Sequence, residues 1–462
     1  MKHLSVRIAL VCAALLAPAA TAWASHGQTV SFEAPRDLLD ASLRPAAMDQ
    51  LASLGVRSLR VVIYWHSVAP SPDSATRPNV DATDPGAYDW GQYDALLAAA
   101  AQRNWSVLLT VSGPVPRWAT AARTDTVTRP SPKEFQAFTT AIGRHYGGQV
   151  STWGIWNEPN HPQFLGPQYL KGHRPESGRI YRQLFLAGWR GLRASGNGSD
   201  KILMGETAPR GSLHDVAPLA FLRQALCLNS SYRRVGRCSN LPADGYAHHA
   251  YTTRQGPFFR PSGHDDVTIG VLSRLTRALD RAAVAGAIHR GLPVYLTEFG
   301  IQSFPDTLLG VPLAQQPEYD AISEKLAYDD PRVASFSQYL LRDDLPGSGK
   351  ARFGGFESGL EFADGRPKPS YAAFPVPLVA TRSGSGVGLW GIARPATAAS
   401  TVTLESASAK GAFHHLKSVR TDARGHWSTR SSYRSGERFR VVWTAPGGTA
   451  YTGPPIRAYR RP

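Results

Sequence analysis

From about residue 29 to residue 339 the chain repeats one unit: a short apolar run, a loop, then a stretch with Ala and Leu at helical spacing. Apolar runs of strand length stand at 29–32, 58–63, 106–111, 152–156, 201–205, 245–248, 293–297 and 334–339. Between them, 93–103 and 267–290 carry the helical pattern, and Ser131-Pro132 opens another helix as N-cap and first-turn proline. Strands that alternate with helices run parallel, because each helix returns the chain to the same end of the sheet. Eight such units suit a closed barrel better than an open sheet, so the expected class is α/β: a (β/α)8 TIM barrel over residues 28–375. After Phe374-Pro375-Val376-Pro377 the texture changes to short alternating runs such as 401–404 and 439–443, separated by turn clusters. Residues 378–462 are expected to form a small C-terminal antiparallel β-sandwich that braces the barrel, with sugar binding or wall attachment as the other roles open to it.

A barrel of this kind gathers the C-terminal ends of its strands at one mouth. Two of the runs end there in a glutamate: Trp156-Asn157-Glu158-Pro159 on the fourth and Thr297-Glu298-Phe299-Gly300 on the seventh. Either carboxylate alone would be as well explained by a strand-end charge or a buried ion pair. Two carboxylates facing one another across one mouth suit cleavage of a glycosidic bond, where one group protonates the leaving oxygen and the other attacks the anomeric carbon.

With these two motifs the chain resembles, along the whole barrel, the clan of retaining glycoside hydrolases that includes families 5 and 39. The resemblance implies that Glu158 is the acid/base and Glu298 the nucleophile of a double displacement, with no metal and no organic cofactor. It also implies that Asn157 binds the sugar 2-hydroxyl, and that Arg60 on the second strand supports the nucleophile. In His249-Ala250-Tyr251, at the sixth strand, Tyr251 would hold the nucleophile ionised while His249 lines the sugar site. Many members of the clan carry a Trp at the end of strand eight, where this chain has Gln338-Tyr339, so specificity does not carry over with the mechanism.

Aromatic residues on strand-to-helix loops are expected to form the sugar platform: Trp118 first, on the stiff loop 113–118, then Trp65, with Trp156 and Phe164 behind them. Glu33 and Glu206 also end strands and rank below the main pair as sugar contacts. The long loops 66–92, 159–180 and 303–320 are expected to decide between an open cleft for endo cleavage, the expected mode, and a closed pocket for exo trimming.

The start of the chain reads as an export signal over residues 1–24, with a basic Lys2-His3 and Arg7, a short apolar run and Ala22-Trp23-Ala24 as cleavage site. The protein is therefore expected to be secreted, without a membrane anchor. Cys12 leaves with the leader, and Cys227 and Cys238 are then most simply a disulfide. The formal charge of +16 is scattered rather than run together, so no nucleic-acid partner is expected. Base composition of the gene is the default explanation of that charge, and attraction to an acidic polysaccharide or an anionic cell wall is the functional one. The expected partner is a poly- or oligosaccharide substrate met by a monomer. A transglycosylase would use the same residues, and a non-catalytic polysaccharide-binding protein would be expected to lack Glu158, Glu298 or Asn157. A lyase would need a base near C5 instead.

Overall fold

The computed structural model describes Ser25, residues 27–348 and residues 352–460, so the expected leader, 1–24, lies outside the described residues. Eight parallel strands close into a barrel. They are β1 (Thr29–Glu33), β2 (Ser58–Tyr64), β3 (Ser106–Ser112), β4 (Thr152–Ile155), β5 (Lys201–Thr207), β6 (Gly245–His249), β7 (Val294–Phe299) and β8 (Val333–Tyr339). Each pairs with its sequence neighbours, and β8 closes the ring on β1 with Thr29 opposite Ser335 and Glu33 opposite Tyr339.

The principal helix after each strand is α1 (Arg44–Ser53), α2 (Gly91–Gln102), α3 (Pro132–Tyr146), α4 (Ser177–Ala194), α5 (Pro218–Ala225), α6 (Ser273–Val284), α7 (Gln316–Tyr328) and α8 (Pro369–Ala373). The Ser131 hydroxyl accepts the Glu134 N–H at 3.4 Å and caps α3 as expected. The helix expected over 267–290 is shorter. A 3-10 turn at Ile269–Val271 precedes it, and Gly286, in the left-handed region at φ 69°, ends its last turn.

The period of two along each strand divides the barrel into two environments. On β2, Leu59, Val61 and Ile63 join the large core beneath the helices, leaving Arg60, Val62 and Tyr64 to the interior. The interior itself is layered. Leu108, Leu203, Ala247 and Tyr295 form an apolar floor, and a polar layer of Arg60, Thr110 and Glu206 lies above it, towards the mouth. Gly154 on β4 makes that layer possible, because a Cβ there would stand 2.2 Å from a Glu206 carboxylate oxygen.

Beyond the barrel, β9 (Leu378–Ser383), β10 (Gly386–Ile392) and β13 (His426–Ser432) form one antiparallel sheet. The second holds β11 (Thr401–Ala407), β12 (His414–Arg420), β14 (Arg438–Thr444) and β15 (Ala450–Thr452). Val402, Leu404, Trp427, Phe439, Val441 and Trp443 fill the space between the sheets. The sandwich docks on α7 through a separate apolar cluster, Ala321, Ile322 and Tyr328 against Val379, Trp390 and Ile392. Arg394 reaches across this seam to Glu324, with both nitrogen–oxygen bonds at 2.8–2.9 Å. A disulfide joins Cys227 to Cys238 between α5 and β6. No helix among the described residues is long and apolar enough to cross a membrane.

Arg394 and Glu324 are each about 95% buried, so removing one partner strands a charge in a dry seam. Arg394→Ala is expected to lower stability by about 3 kcal/mol. Urea unfolding of the two proteins would read the difference, and an unchanged midpoint would show that the pair does not hold the seam.

Candidate active site

The fourth strand delivers Glu158 through a strained turn. Trp156 and Glu158 both lie at positive φ, 75° and 39°, a region that costs non-glycine residues about 1–3 kcal/mol each. Local bonds over-determine the turn. The Trp156 N–H extends the ladder to the Val111 carbonyl at 2.9 Å, and the Asn157 N–H donates to the Ser112 hydroxyl at 2.9 Å. The Glu158 N–H donates to the Glu206 carbonyl at 3.0 Å. The Trp156 ring is fully buried against Phe135, in space that Gly113 leaves open. Asn160, also fully buried, clamps the following loop by accepting from the Ala208 N–H and donating to the Ala208 and Val216 carbonyls. Sequence reasoning missed this clamp, although the Asn lies inside the motif it singled out.

Glu298 projects from β7 towards Glu158. Glu158, Glu298 and His249 each present a polar atom, and these atoms lie within 4.8 Å of one another. By distance the three could hold a cation, but Arg60 is bonded to the same Glu298 carboxylate and its charge opposes one there.

Arg60 organises the centre. One of its terminal nitrogens donates to Glu298 and, at 2.5 Å, to Glu33; the other donates to Asn157 at 2.7 Å and to Glu206 at 2.5 Å. Glu206 also accepts from the Thr110 hydroxyl at 2.7 Å. His249 bonds Glu158 through Nδ1 at 2.9 Å and stands 3.5 Å from Glu298, while the Tyr251 hydroxyl donates to Glu298 at 3.2 Å.

The electrostatics follow from this wiring. Burial pushes the Glu298 carboxyl up, but the charges of His249 and Arg60 and the bonds from Arg60 and Tyr251 outweigh it, leaving the group below its ordinary value. Burial lowers His249, and the two glutamates beside it more than compensate, so the imidazole is raised. Burial holds the Tyr251 hydroxyl protonated as a donor. Glu33 shares an Arg60 nitrogen with Glu298. Burial, against the pull of Arg60 and with the push of Glu298, raises Glu33 to about 8. Two buried carboxylates on one guanidinium nitrogen thus divide into a protonated and an ionised member.

The site opens into a cavity of about 440 Å³. Asn157, Glu158, Glu298, Glu33 and Arg60 line it, with Tyr64, Phe164 and Tyr339 as its aromatic walls. Tyr64 and Phe164 lie parallel, 6.2 Å between ring centres. These take the place expected for Trp118 and Trp65, which the fold puts elsewhere. Tyr64 faces the interior, so the next residue must face the helices: Trp65 is fully buried, stacked on Phe138 at 5.0 Å. Trp118 packs edge-on against Trp65 and is 5% exposed, because its loop is pinned beneath residues 70–72. His249 and Tyr251 stand behind the glutamates rather than on the cavity wall. Of the three long loops expected to shape the mouth, 159–180 contributes His161, Gln163 and Phe164; the others are replaced by residues 34–39 and by Asp344 and 354–356. Glycine-rich sequence after β8 carried no apolar pattern from which that wall could be read.

No family model matches the chain, and neither does any curated protein. Solved structures do. A family 39 glycoside hydrolase from Bacteroides cellulosilyticus WH2 superposes with a TM-score of 0.55 at 16% identity, over 90% of this chain and 81% of that one. A monomeric beta-xylosidase from Caulobacter crescentus CB15 gives 0.52 at 15%, over 93% and 96%. A GH39 enzyme from Xanthomonas axonopodis pv. citri gives 0.51 at 17%, over 94% and 96%. The chain therefore has the fold of these enzymes, two of which are family 39 glycoside hydrolases, and at such coverage the likeness runs past the barrel into the C-terminal sheets.

The Glu33 shift makes a stability prediction. A carboxyl raised from 4.5 to about 8 on folding holds a proton that the unfolded chain gives up, so its contribution is lost as pH rises through that window. Wild type is expected to lose stability between pH 5 and 8 relative to Glu33→Gln, which cannot ionise. An equal loss of unfolding free energy in wild type and Glu33→Gln between those two pH values, read from their urea midpoints, would refute the assignment.

Proposed function

We propose that the protein is an exported retaining glycoside hydrolase acting on O-glycosidic bonds of a poly- or oligosaccharide. The observation that carries the reading is the pair Glu158 and Glu298, with oxygens no more than 4.8 Å apart on the wall of one cavity. Retaining enzymes place their carboxyl groups about 5–5.5 Å apart, whereas inverting ones leave a wider gap for water. Export rests on the leader pattern of residues 1–24 and agrees with the Cys227–Cys238 disulfide.

Glu298 is the nucleophile. Arg60 and Tyr251 keep it ionised and aim it at the anomeric carbon. As its oxygen forms the ester bond, the glycosidic C–O bond breaks and Glu158 gives its proton to the departing oxygen, so the leaving group departs as an alcohol. Glu158, now a carboxylate, removes a proton from water. That water attacks the same carbon, and the ester bond to Glu298 breaks. Asn157, fixed by Arg60 at 2.7 Å, is placed to hold the 2-hydroxyl, a contact that strengthens as positive charge develops on the ring. Tyr64, Phe164 and Tyr339 offer ring faces to the sugar C–H groups.

Hydrolysis of a panel of polysaccharides and aryl glycosides tests the assignment. Glu158→Ala is expected to lower kcat on an unactivated substrate by about 100- to 10,000-fold, and Glu298→Ala to leave background activity only. Azide is expected to rescue both, giving the glycosyl azide of retained configuration from Glu158→Ala and of inverted configuration from Glu298→Ala. Full activity in either variant would place the catalytic pair elsewhere.

A further inference from the structure

The catalytic cavity has two sides. Glu158 and the residues that follow it, His161, Gln163 and Phe164, stand on the side of β4, where the leaving group takes its proton. In the ring of eight, β8 lies across from β4, with β1 beside it. Their ends supply the facing wall: Glu33, Tyr339, Asp344 and residues 354–356. With the anomeric carbon between Glu158 and Glu298 and the 2-hydroxyl at Asn157, the far edge of the glycone ring meets this second wall.

Two carboxyl groups there keep one oxygen free. Glu33 is 5% exposed, and its Oε2 accepts from Arg60 at 2.5 Å, while Oε1 has no partner among the described residues. Burial raises this group to about 8, and Arg60 occupies Oε2, so at neutral pH the proton sits on Oε1, a donor to the cavity. Asp344 is pinned from behind. Its Oδ2 accepts the Phe356 N–H at 2.8 Å, and its own N–H donates to the Phe356 carbonyl at 3.0 Å. Gly355 permits this closure, since a Cβ there would stand 2.7 Å from the Asp344 side chain. The Asp344 Oδ1 likewise has no partner among the described residues.

No positive charge is left over for an anionic ring. Arg60 and His161 are the basic side chains on the described wall. Both terminal nitrogens of Arg60 are engaged and its Nε is buried. His161 accepts the Gln163 N–H at Nδ1, 3.2 Å away, and turns Nε2 to Asp215 at 3.4 Å. Basic groups of the neighbouring loops are engaged as well: Arg36 with the Asp343 and Ala363 carbonyls, Arg342 with Asp37 and Glu361, and Lys368 with Asp343. A carboxylate drawn into such a site loses its water and finds no cation in return. Hydroxyl groups, by contrast, suit a wall that offers one donor and one acceptor.

The geometry points to an uncharged glycone: hydroxyls on the far edge of its ring bond Glu33 and Asp344, and the Asp344 carboxylate turns away a glycone that carries a carboxylate of its own. The protein's surplus of basic residues therefore says nothing about the sugar it cleaves. The inference rests on the glycosidase reading for the placing of the ring, and binding measurements test it apart from turnover.

Ligand pairs that differ only in the oxidation of the exocyclic carbon supply the test: β-D-glucoside against β-D-glucuronide and β-D-galactoside against β-D-galacturonide, with the β-D-xyloside as a neutral ring lacking that carbon. Hydrolysis of the 4-nitrophenyl series by wild type gives kcat/KM, and calorimetric titration of Glu158→Ala with the methyl series gives affinity. In at least one pair the neutral sugar is expected to exceed its uronide by about 100-fold or more on both measures. Asp344→Asn, whose amide oxygen can still accept the Phe356 N–H, is expected to shrink that ratio by about 10-fold. Glu33→Gln keeps a donor towards the ring and is expected to hold neutral affinity within about 3-fold, whereas Glu33→Ala is expected to lose about 10-fold. A uronide equal to or better than its neutral partner, binding of the xyloside alone, or a ratio untouched by Asp344→Asn overturns the proposal and leaves the glycosidase reading standing. Binding of none of these ligands overturns it as well. Charge-selective binding that depends on Asp344, with no hydrolysis of any glycoside, sustains the proposal and sinks the glycosidase reading instead.

Discussion

A single guanidinium ties its own strand to four others of the barrel at the level where the chemistry is expected. Arg60 rises from β2, is 1% exposed, and meets Glu33 from β1, Asn157 beyond β4, Glu206 from β5 and Glu298 from β7. Three carboxylates could not share that interior without it, since burial strongly disfavours each charge. The surroundings are arranged to admit the group: Gly154 gives room for Glu206, and Thr110 takes up its second oxygen. Replacing Arg60 by an apolar residue would leave several buried acids to protonate or separate, so fold and site depend on one interaction.

That dependence also accounts for the division of labour among the acids. Glu33 and Glu298 touch the same Arg60 nitrogen and are driven in opposite directions, Glu298 having in addition His249 and Tyr251. The charge of the cavity is set locally by these contacts and not by the protein's overall surplus of basic residues. Arg60, the one basic side chain on the described wall apart from His161, is spent on protein partners.

The barrel was legible because its signal repeats: eight apolar runs with helices between them permit few other arrangements. Glu158 and Glu298 were legible because each ends an apolar strand at the barrel mouth, and Arg60 was picked out only through the resemblance to the clan. The aromatic wall was not. Trp65 and Trp118 look like platform residues in a linear reading, yet one residue of alternation sends Trp65 outward and leaves Tyr64 inward. The wall from residues 354–356 was invisible for a different reason, since Gly354-Gly355-Phe356 acquires meaning only when the loop after β8 folds over the mouth. Asn160 was likewise silent, because its partners lie 48 or more residues further along the chain.

The seam between barrel and sandwich gives the C-terminal part a particular standing. It packs on α7, the helix that follows directly from the strand bearing Glu298, and Arg394 also crowds the turn at Gly55 that leads into β2 and Arg60. Severing the chain between α8 and β9 would bare Trp390, Val379 and Ile392 to water and leave Glu324 alone in its cleft. The shared seam is expected to couple the unfolding of the two parts, and a recombination that exchanged the sandwich for another module would also loosen the scaffold behind the strands that bear Glu298 and Arg60. The C-terminal sheets stand as part of the barrel's wall, packed on it through an apolar seam and a buried ion pair.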